Sequence, residues 1–396
     1  MRLIVAHPGT QHSYHAALGL KNADLLQFYF TGYSLSRPRW LGELTSILSP
    51  RAHARMAQHH AHADLARAEL RVFPLYELAR RANPKLGRVA LRVFAQQAAA
   101  LGVRRGCGVL AFNTFAAPIF RTLGRHGLPC VLDQTIAHAR WAVREQLRET
   151  ETFPEWGPQP LPTTAECDAA DEELHRATLI LCGSEFCAQT LVGEGVPGNK
   201  IAVVPYGTDT VKFAPAERPR ASNGPLRALF VGGLLLRKGI HYLLAAAKRL
   251  GPSQVTVTAL GTRCVSAKAL ARYEDVLSPR GFRLHADMPD AYREADVYVF
   301  PSLVEGSTLS VYEALASGLP VITTPNAGSI VRDGVEGIIV PPRDPDAIAD
   351  ALDRLRDTEL RASMSRAARV RALEFGDWRQ YGPRLAAAMY PITQPV

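Results

Sequence analysis

The stretch FPSLVEGSTLSVYEALASGLPVITTPNAGSIVRDGVEGII, residues 300–339, is the one on which the reading of the fold turns. It follows ADVYVF (295–300), a short apolar run closed by Pro301, which reads as a buried strand. The apolar helical run after it ends at Gly318, a natural C-terminal stop. Glu305 therefore falls in the loop at the carboxyl end of a strand, where open parallel sheets bind ligands. Glu313 lies eight residues further on, near the start of the helix. Two readings of Glu313 are open: Ser310-x-x-Glu313 is a capping box for backbone donors, or the carboxylate faces a ligand. Capping alone leaves Glu305, Gly306 and the hydroxyl run Ser307, Thr308 and Ser310 unexplained. Those groups suit a polyhydroxylated ligand whose phosphate approaches the helix N-terminus.

Outward from this segment, strand-like and helical runs alternate as in an α/β protein with parallel sheets. In the first half, strands are expected at 3–7, 25–30, 108–113, 130–134, 178–182 and 201–204. A long Ala/Arg-rich helical region, 41–101, is broken near Pro74 and Pro84. The stretch 214–225, rich in Pro, Ser and charge, is the linker candidate. The pattern then restarts, with strands expected at 226–231, 255–260, 282–285, 295–300, 320–323 and 337–340. Two doubly wound sheets facing one another across a cleft are the architecture these halves imply.

A chain of 396 residues can bury two cores, and no run is long and apolar enough to span a bilayer. MRLIVAHPG enters a strand with no charged-then-apolar leader, so a cytoplasmic location is expected. Cys107, Cys130, Cys167, Cys182, Cys187 and Cys264 are scattered, and Cys182-x4-Cys187 is too isolated for a zinc site. Buried free thiols in a reducing compartment are expected instead. The net charge of +9 permits nucleic acid, an anionic membrane or acidic small molecules as partners. No basic stripe interleaved with aromatics is present, so nucleic acid is not expected. Positive charge gathers at 37–40, at 51–92 and in the C-terminal helices. It reads either as solvated helix faces or as a basic face for the cytoplasmic leaflet.

After the strand at 226–231 come Gly232-Gly233, then Arg237-Lys238-Gly239, then a helix whose Ile240, Leu243, Leu244 and Ala247 follow the spacing of one buried face. Cations just before a helix oppose its macrodipole, so their placement argues for a bound anion. No GxGxxG element follows a strand, which leaves a nicotinamide or flavin site without support. In HPGTQHSYH (7–15), His7 and His15 read as polar loop packing, while packing and function are both open for His12. His59 and His62 share a helical face, but no carboxylate or cysteine at metal-ligand spacing accompanies them or His60.

The segment 300–339 resembles the E-x7-E signature of retaining, nucleotide-sugar-dependent glycosyltransferases of the GT-B fold, family 4. The blocks SEFCAQTLVGEGVPGNKIAVVPYGTDTVKF (184–213), LFVGGLLLRKGIHYLLAAAKRL (229–250) and DMPDAYREADVYVFPSLVEG (287–306) resemble the family in order and spacing, over most of 179–355. The resemblance implies two Rossmann-like doubly wound domains facing a cleft. They would be an acceptor domain at 1–215, a linker at 216–225, a nucleotide-sugar domain at 226–375, and a helix at 376–396 crossing back. It assigns the ribose hydroxyls to Glu313, the donor-sugar hydroxyls to Glu305, and the diphosphate to Lys238. Gly232, Gly233, Gly306 and the amides of Ser307, Thr308 and Leu309 would line the donor site, and Gly9 and Thr10 would approach the donor phosphate. His138 would lie near the sugar, and His12 on the acceptor side. The chain departs from the family at Gly233, where an arginine is usual, and Arg237 is expected to supply that second charge.

No metal and no cofactor are implied, because the nucleotide diphosphate sugar is the substrate and its leaving diphosphate assists the incoming hydroxyl. The acceptor would be a hydroxyl of a glycan or lipid-linked molecule, and the Ala- and Arg-rich composition points to a bacterial source making surface polysaccharide or glycolipid. The alternatives are a sugar-nucleotide epimerase of the same fold and a catalytically silent sugar-nucleotide-binding homologue.

Overall fold

Two cores emerge from the alternating pattern. The structure is a computed structural model that describes residues 1–9, 11–34, 64–216 and 224–393. Thr10, the basic stretch 37–40, His59, His60 and His62, and most of the linker 216–225 lie outside the described residues. Among the described residues the strands are β1 (Leu3–His7), β2 (Leu26–Thr31), β3 (Leu70–Val72), β4 (Gly108–Phe112), β5 (Cys130–Gln134), β6 (Leu179–Cys182) and β7 (Ile201–Val203) in the first half. The second half holds β8 (Leu226–Val231), β9 (Val255–Leu260), β10 (Leu277–Gly281), β11 (Val297–Phe300), β12 (Val321–Thr323) and β13 (Gly337–Ile339).

The first sheet runs β3-β2-β1-β4-β5-β6-β7 and the second β10-β9-β8-β11-β12-β13. Every pairing is parallel, from β1 against β2 and β4 to β12 against β13. Both sheets reverse their winding once, between β1 and β4 and between β8 and β11, and such a switch point opens a crevice at the carboxyl ends. Central strands buried on both faces need unbroken apolar runs. LIVAH in β1, GVLAF in β4 and VYVF in β11 are buried at every position.

Two strands differ from the sequence expectation. The strand expected at 282–285 is instead β10, LSPRG, whose last four residues are exposed. As an edge strand paired only with β9, it tolerates proline and charge. Residues 282–285 themselves lie in a loop, with Phe282 exposed. The helical region expected across 41–101 contains β3, a three-residue edge strand beside β2. It is too short to interrupt a run of Ala, Arg and Leu visibly. The helix Pro84–Arg105 continues past 101 to Gly106, which adopts φ 59° as its stop. Five cysteines are buried free thiols, whereas Cys264 is exposed. Among the described residues no helix is long and apolar enough to cross a membrane.

The sheets meet at their carboxyl ends, where Ile136, after β5, bridges Gly306, after β11. The Ala137 amide donates to the Glu305 carbonyl at 3.2 Å. Beside this contact, Glu149 on the helix Ala139–Thr152 is buried and accepts from His241 Nε2 and the Tyr242 hydroxyl, each at 3.0 Å, and from Arg343. Burial alone would raise the Glu149 carboxyl, but His241 and Arg343 hold it below its ordinary value. A second junction is a strap before the linker: Thr208 N–H donates to Gly376 O at 2.8 Å, and Arg369 Nη1 donates to the carbonyls of Thr210, Phe213 and Ala316. From there the helix Trp378–Thr393 returns to the first sheet, where Trp378 stacks on His15 at 4.0 Å.

Asp377 closes this strap by accepting from the Thr210 hydroxyl and from Arg379 Nε at 2.8 Å. Burial would raise its carboxyl, but Arg379 and Thr210 outweigh that and hold it at about 2, against an ordinary 3.8. A carboxyl depressed on folding contributes stability above its unfolded pKa and loses it as pH falls through the folded value. Asp377→Asn should therefore cost about 1–2 kcal/mol at neutral pH, discounted for the exposed Arg379 partner. Urea titrations should find that deficit shrinking as pH falls from about 4 towards 2; a deficit independent of pH contradicts the assignment.

Candidate active site

The carboxyl ends of β8, β9 and β11 and the start of the helix Leu309–Ala316 enclose a cavity of about 540 Å³. Its walls bring together Gly232, Gly233, Lys238, Glu305, Ser307, Thr308, Leu309 and Glu313. Residues separated by up to 81 positions converge because each follows a strand at the switch point of the second sheet.

Lys238 lies at the end of a single 3-10 turn, Leu236–Lys238, which Gly239 terminates at φ 71°. Its ammonium is 3.2 Å from Glu305 Oε1 and 5.1 Å from the centre of the Phe300 ring. Gly232, at φ 147°, gives it room, since a Cβ there would stand 3.1 Å from Lys238 Nζ. Arg237 donates to the same Glu305 Oε1 at 2.7 Å and to Val304 O at 2.9 Å. Burial pushes the Glu305 carboxyl up, yet Lys238 and Arg237 more than offset this and keep it below the ordinary value. Glu305 is thus ionised, held from behind, and open to the cavity.

Arg237 does not take the position expected of it. Its carbonyl accepts from the amides of Leu303 and Val304 and from the Ser302 hydroxyl, so the turn is bonded to the β11 loop and its guanidinium lies behind Glu305. Gly306 likewise serves through its backbone. A Cβ there would stand 2.2 Å from Thr135 O, so only glycine lets the two sheets approach at this point.

Glu313 is no capping residue. Ser310 sits inside the helix rather than at its N-cap, and its hydroxyl accepts from the Tyr298 hydroxyl at 2.6 Å. The cap is Thr308, whose hydroxyl donates to Ala327 O at 2.9 Å. Glu313 Oε2 accepts from the Tyr292 hydroxyl at 2.7 Å, and Oε1 lies 3.0 Å from His285 Nε2. His285 Nδ1 in turn lies 2.7 Å from Lys212 Nζ. Desolvation lowers the Lys212 ammonium, and Glu313, Asp209 and Asp287 work against that.

The histidines of the first domain stand away from this cavity. His138 caps the helix Ala139–Thr152, where its Nδ1 accepts from the Arg140 amide at 3.3 Å and its Nε2 approaches Asp171 at 3.4 Å. It lines a separate depression with Arg140, Asp171 and Lys200, because a cap must turn its ring back over its own first turn. His12 is buried 2.8 Å from Asp133 Oδ2, with its ring tilted against that of Tyr206 at 4.0 Å, a packing role. His7 Nδ1 accepts from the Gly9 amide, so that loop is closed on itself. Burial lowers both His7 and His15 to about 4, so both rings are neutral at physiological pH. Sequence reasoning missed His285, Lys212, Tyr292 and Tyr298. A strand assigned at 282–285 hid the first, and no local pattern singles out Lys212 or the tyrosines. Among the described residues no group of three or more His, Cys, Asp or Glu side chains could hold a metal ion.

Residues 225–358 match the family model described as glycosyl transferases group 1. The putative colanic acid biosynthesis glycosyltransferase WcaL of Salmonella typhimurium is 29% identical over 218 residues, 50% of this chain and 53% of that protein. The amylovoran biosynthesis glycosyltransferase AmsK of Erwinia amylovora is 30% identical over 196 residues, 46% of this chain and 48% of that protein. The chain thus matches about half the length of these curated relatives. Among solved structures, Anabaena Alr3699/HepE in complex with UDP-glucose is similar with a TM-score of 0.66 at 17% identity, covering 99% of this chain and 100% of that one. Sucrose-phosphate synthase from Thermosynechococcus elongatus gives 0.66 at 17% identity, covering 99% of both chains. At such identity the likeness speaks for the fold, two Rossmann-like domains in the GT-B arrangement. Over residues 225–358, about a third of its length, the chain is similar to glycosyl transferases group 1.

Proposed function

We propose that this protein is a retaining, family 4-like glycosyltransferase that moves a hexose from a nucleoside diphosphate sugar to a hydroxyl of a glycan or lipid-linked acceptor, in surface polysaccharide or glycolipid synthesis. The observation that carries the reading is the convergence of Lys238, Glu305 and Glu313 on one cavity at a switch point. Lys238 supplies positive charge for the departing diphosphate, aided by the N-terminus of the helix Leu309–Ala316. Glu305, ionised and held from behind, accepts from hydroxyls of the donor sugar. Glu313 accepts from the ribose. The leaving diphosphate takes the proton of the attacking hydroxyl on the same face of the sugar, so the anomeric configuration is kept. Closure of the two sheets over the site excludes water that would hydrolyse the donor. This chemistry asks for no cofactor, and no nucleic-acid partner is proposed.

One feature favours a second reading. Gly233 has no side chain and Arg237 is bonded behind Glu305, so fewer cations face the diphosphate than in the family pattern. That would suit a sugar-nucleotide-binding homologue without transfer activity, or an epimerase of the same fold.

A thermal-shift screen against UDP-, GDP-, ADP- and dTDP-sugars should find one donor that raises stability by mass action. With that donor, Lys238→Ala should lower kcat by about two to three orders of magnitude, the scale of a lost oxyanion donor. Unchanged turnover in the variant sinks the diphosphate assignment. A product of inverted anomeric configuration, read by NMR, sinks the retaining mechanism, and binding without transfer supports the silent homologue.

The helix Pro84–Arg105 supports a peripheral location at the inner face of the membrane. Leu86 and Val89 are 54% and 56% exposed and Val93 follows them on the helix, beside Lys85, Arg88 and Arg92, with no acidic residue in the helix. Apolar residues among cations suit an anionic bilayer surface. The protein should co-float with phosphatidylglycerol-containing vesicles and not with pure phosphatidylcholine, and the paired change Arg88→Gln, Arg92→Gln should weaken this about tenfold. Equal recovery on both vesicle types contradicts the location.

A further inference from the structure

Glu313 does not stand alone in the cavity wall. His285 lies at the rim, with its Nε2 3.0 Å from Glu313 Oε1 and its Nδ1 2.7 Å from Lys212 Nζ. An ammonium can only donate, so Nδ1 must be the acceptor in the Lys212 contact. In a neutral ring the one proton then sits on Nε2, from which it donates to Glu313. Lys212 therefore selects the tautomer that Glu313 requires, as the partner of one imidazole nitrogen generally does for the other. The Tyr292 hydroxyl holds the second carboxylate oxygen at 2.7 Å. A carboxylate offers about four acceptor sites, so each oxygen of Glu313 keeps capacity for a ligand hydroxyl on the cavity side.

Lys212 is itself anchored. Its amide and that of Val211 donate to Asp209 Oδ1 at 2.9 and 3.0 Å, so the chain turns sharply just before the linker. The next residue, Phe213, is fully buried, and its ring centre stands 5.3 Å from that of His285. The Phe213 carbonyl accepts from Arg369, which also binds the carbonyl of Ala316 at the end of the Glu313 helix. One strap thus fixes both the far end of that helix and the lysine that orients the histidine.

We propose that Lys212 and His285 form a positioning relay that locks Glu313 for two neighbouring hydroxyls of the nucleotide ribose, so that donor recognition depends on the strap joining the two domains. The inference rests on the reading of the cavity as a nucleotide-sugar site. It makes two residues outside the E-x7-E segment necessary for ribose discrimination, one of them on the strap that precedes the linker.

Isothermal titration with UDP, GDP and ADP identifies the ribonucleotide that the full-length protein binds tightest, and the matching 2′,3′-dideoxynucleoside diphosphate is the control. His285→Ala and Lys212→Met should each weaken the ribonucleotide about five- to tenfold, the net scale of one ordinary hydrogen bond, and leave the dideoxy ligand within about twofold. The amide of His285→Gln can accept from Lys212 and donate to Glu313, so this variant should bind the ribonucleotide within about twofold of the unaltered protein. Unchanged ribonucleotide affinity in His285→Ala and Lys212→Met overturns the relay and leaves the donor site standing. Equal losses on both ligands overturn it too, because a merely structural role cannot distinguish ribose hydroxyls. If none of the three ribonucleotides binds, the relay falls; if dTDP is silent as well, the donor-site reading falls with it.

Discussion

A carboxylate taken from water must be paired, and the pairing of Glu305 with Lys238 and Arg237 organises the centre of this molecule. The two cations come from the turn after β8 and the carboxylate from the loop after β11, so the ion pair spans the switch point of the second sheet. Arg237 completes the closure with its own carbonyl, which bonds three groups of the β11 loop. Through its backbone, Glu305 also receives the Ala137 amide from the first sheet. One residue therefore presents its carboxylate to the cavity and ties the two domains at the base of the cleft. Replacing it would disturb both, because an unpaired guanidinium would remain behind.

The interface between the sheets divides the work among three contacts of different character. Gly306 against Thr135 is a close backbone approach that admits no side chain. The Glu149 group with His241, Tyr242 and Arg343 is a buried polar network whose charges are matched across the two halves. The strap of Thr208 to Phe213 is held by Gly376, Asp377 and Arg369, and it delivers Lys212 to the rim of the donor cavity. Backbone contact sets the distance between domains, the polar network fixes their orientation, and the strap links that orientation to Glu313.

The central strands of both sheets are legible in the sequence. β1, β5, β8 and β9 begin and end where the apolar runs do, because central parallel strands are buried on both faces and must read as unbroken hydrophobic stretches. The helix at Ile240–Leu250 buries Ile240, Leu243, Leu244 and Ala247, the face its periodicity marks. The edges are not legible in the same way. β3 is three residues long and β10 contains proline and arginine, since an edge strand bonds on one side only and needs no apolar pattern. The capping-box pattern of Ser310 and Glu313 misleads because the helix begins one residue after Thr308, which puts Ser310 inside the first turn. A two-residue shift of the helix start, from Ser310 to Thr308 as the cap, changes which side chain can reach the free amides.

By itself the sequence determined the class of fold, two doubly wound parallel sheets, and the segments that carry Lys238, Glu305 and Glu313. These follow from local rules: periodicity, strand ends, glycine stops and the spacing of charges within one segment. Only the tertiary structure decided that Arg237 stands behind Glu305, that His138 caps a helix while His12 packs beside Asp133 and Tyr206, and that Lys212 reaches Glu313 through His285. The physical reason is distance along the chain. Lys212 and His285 are 73 residues apart, and Arg237 and Glu305 are 68. No local pattern specifies which of several cations will meet a given carboxylate once two sheets have closed around it.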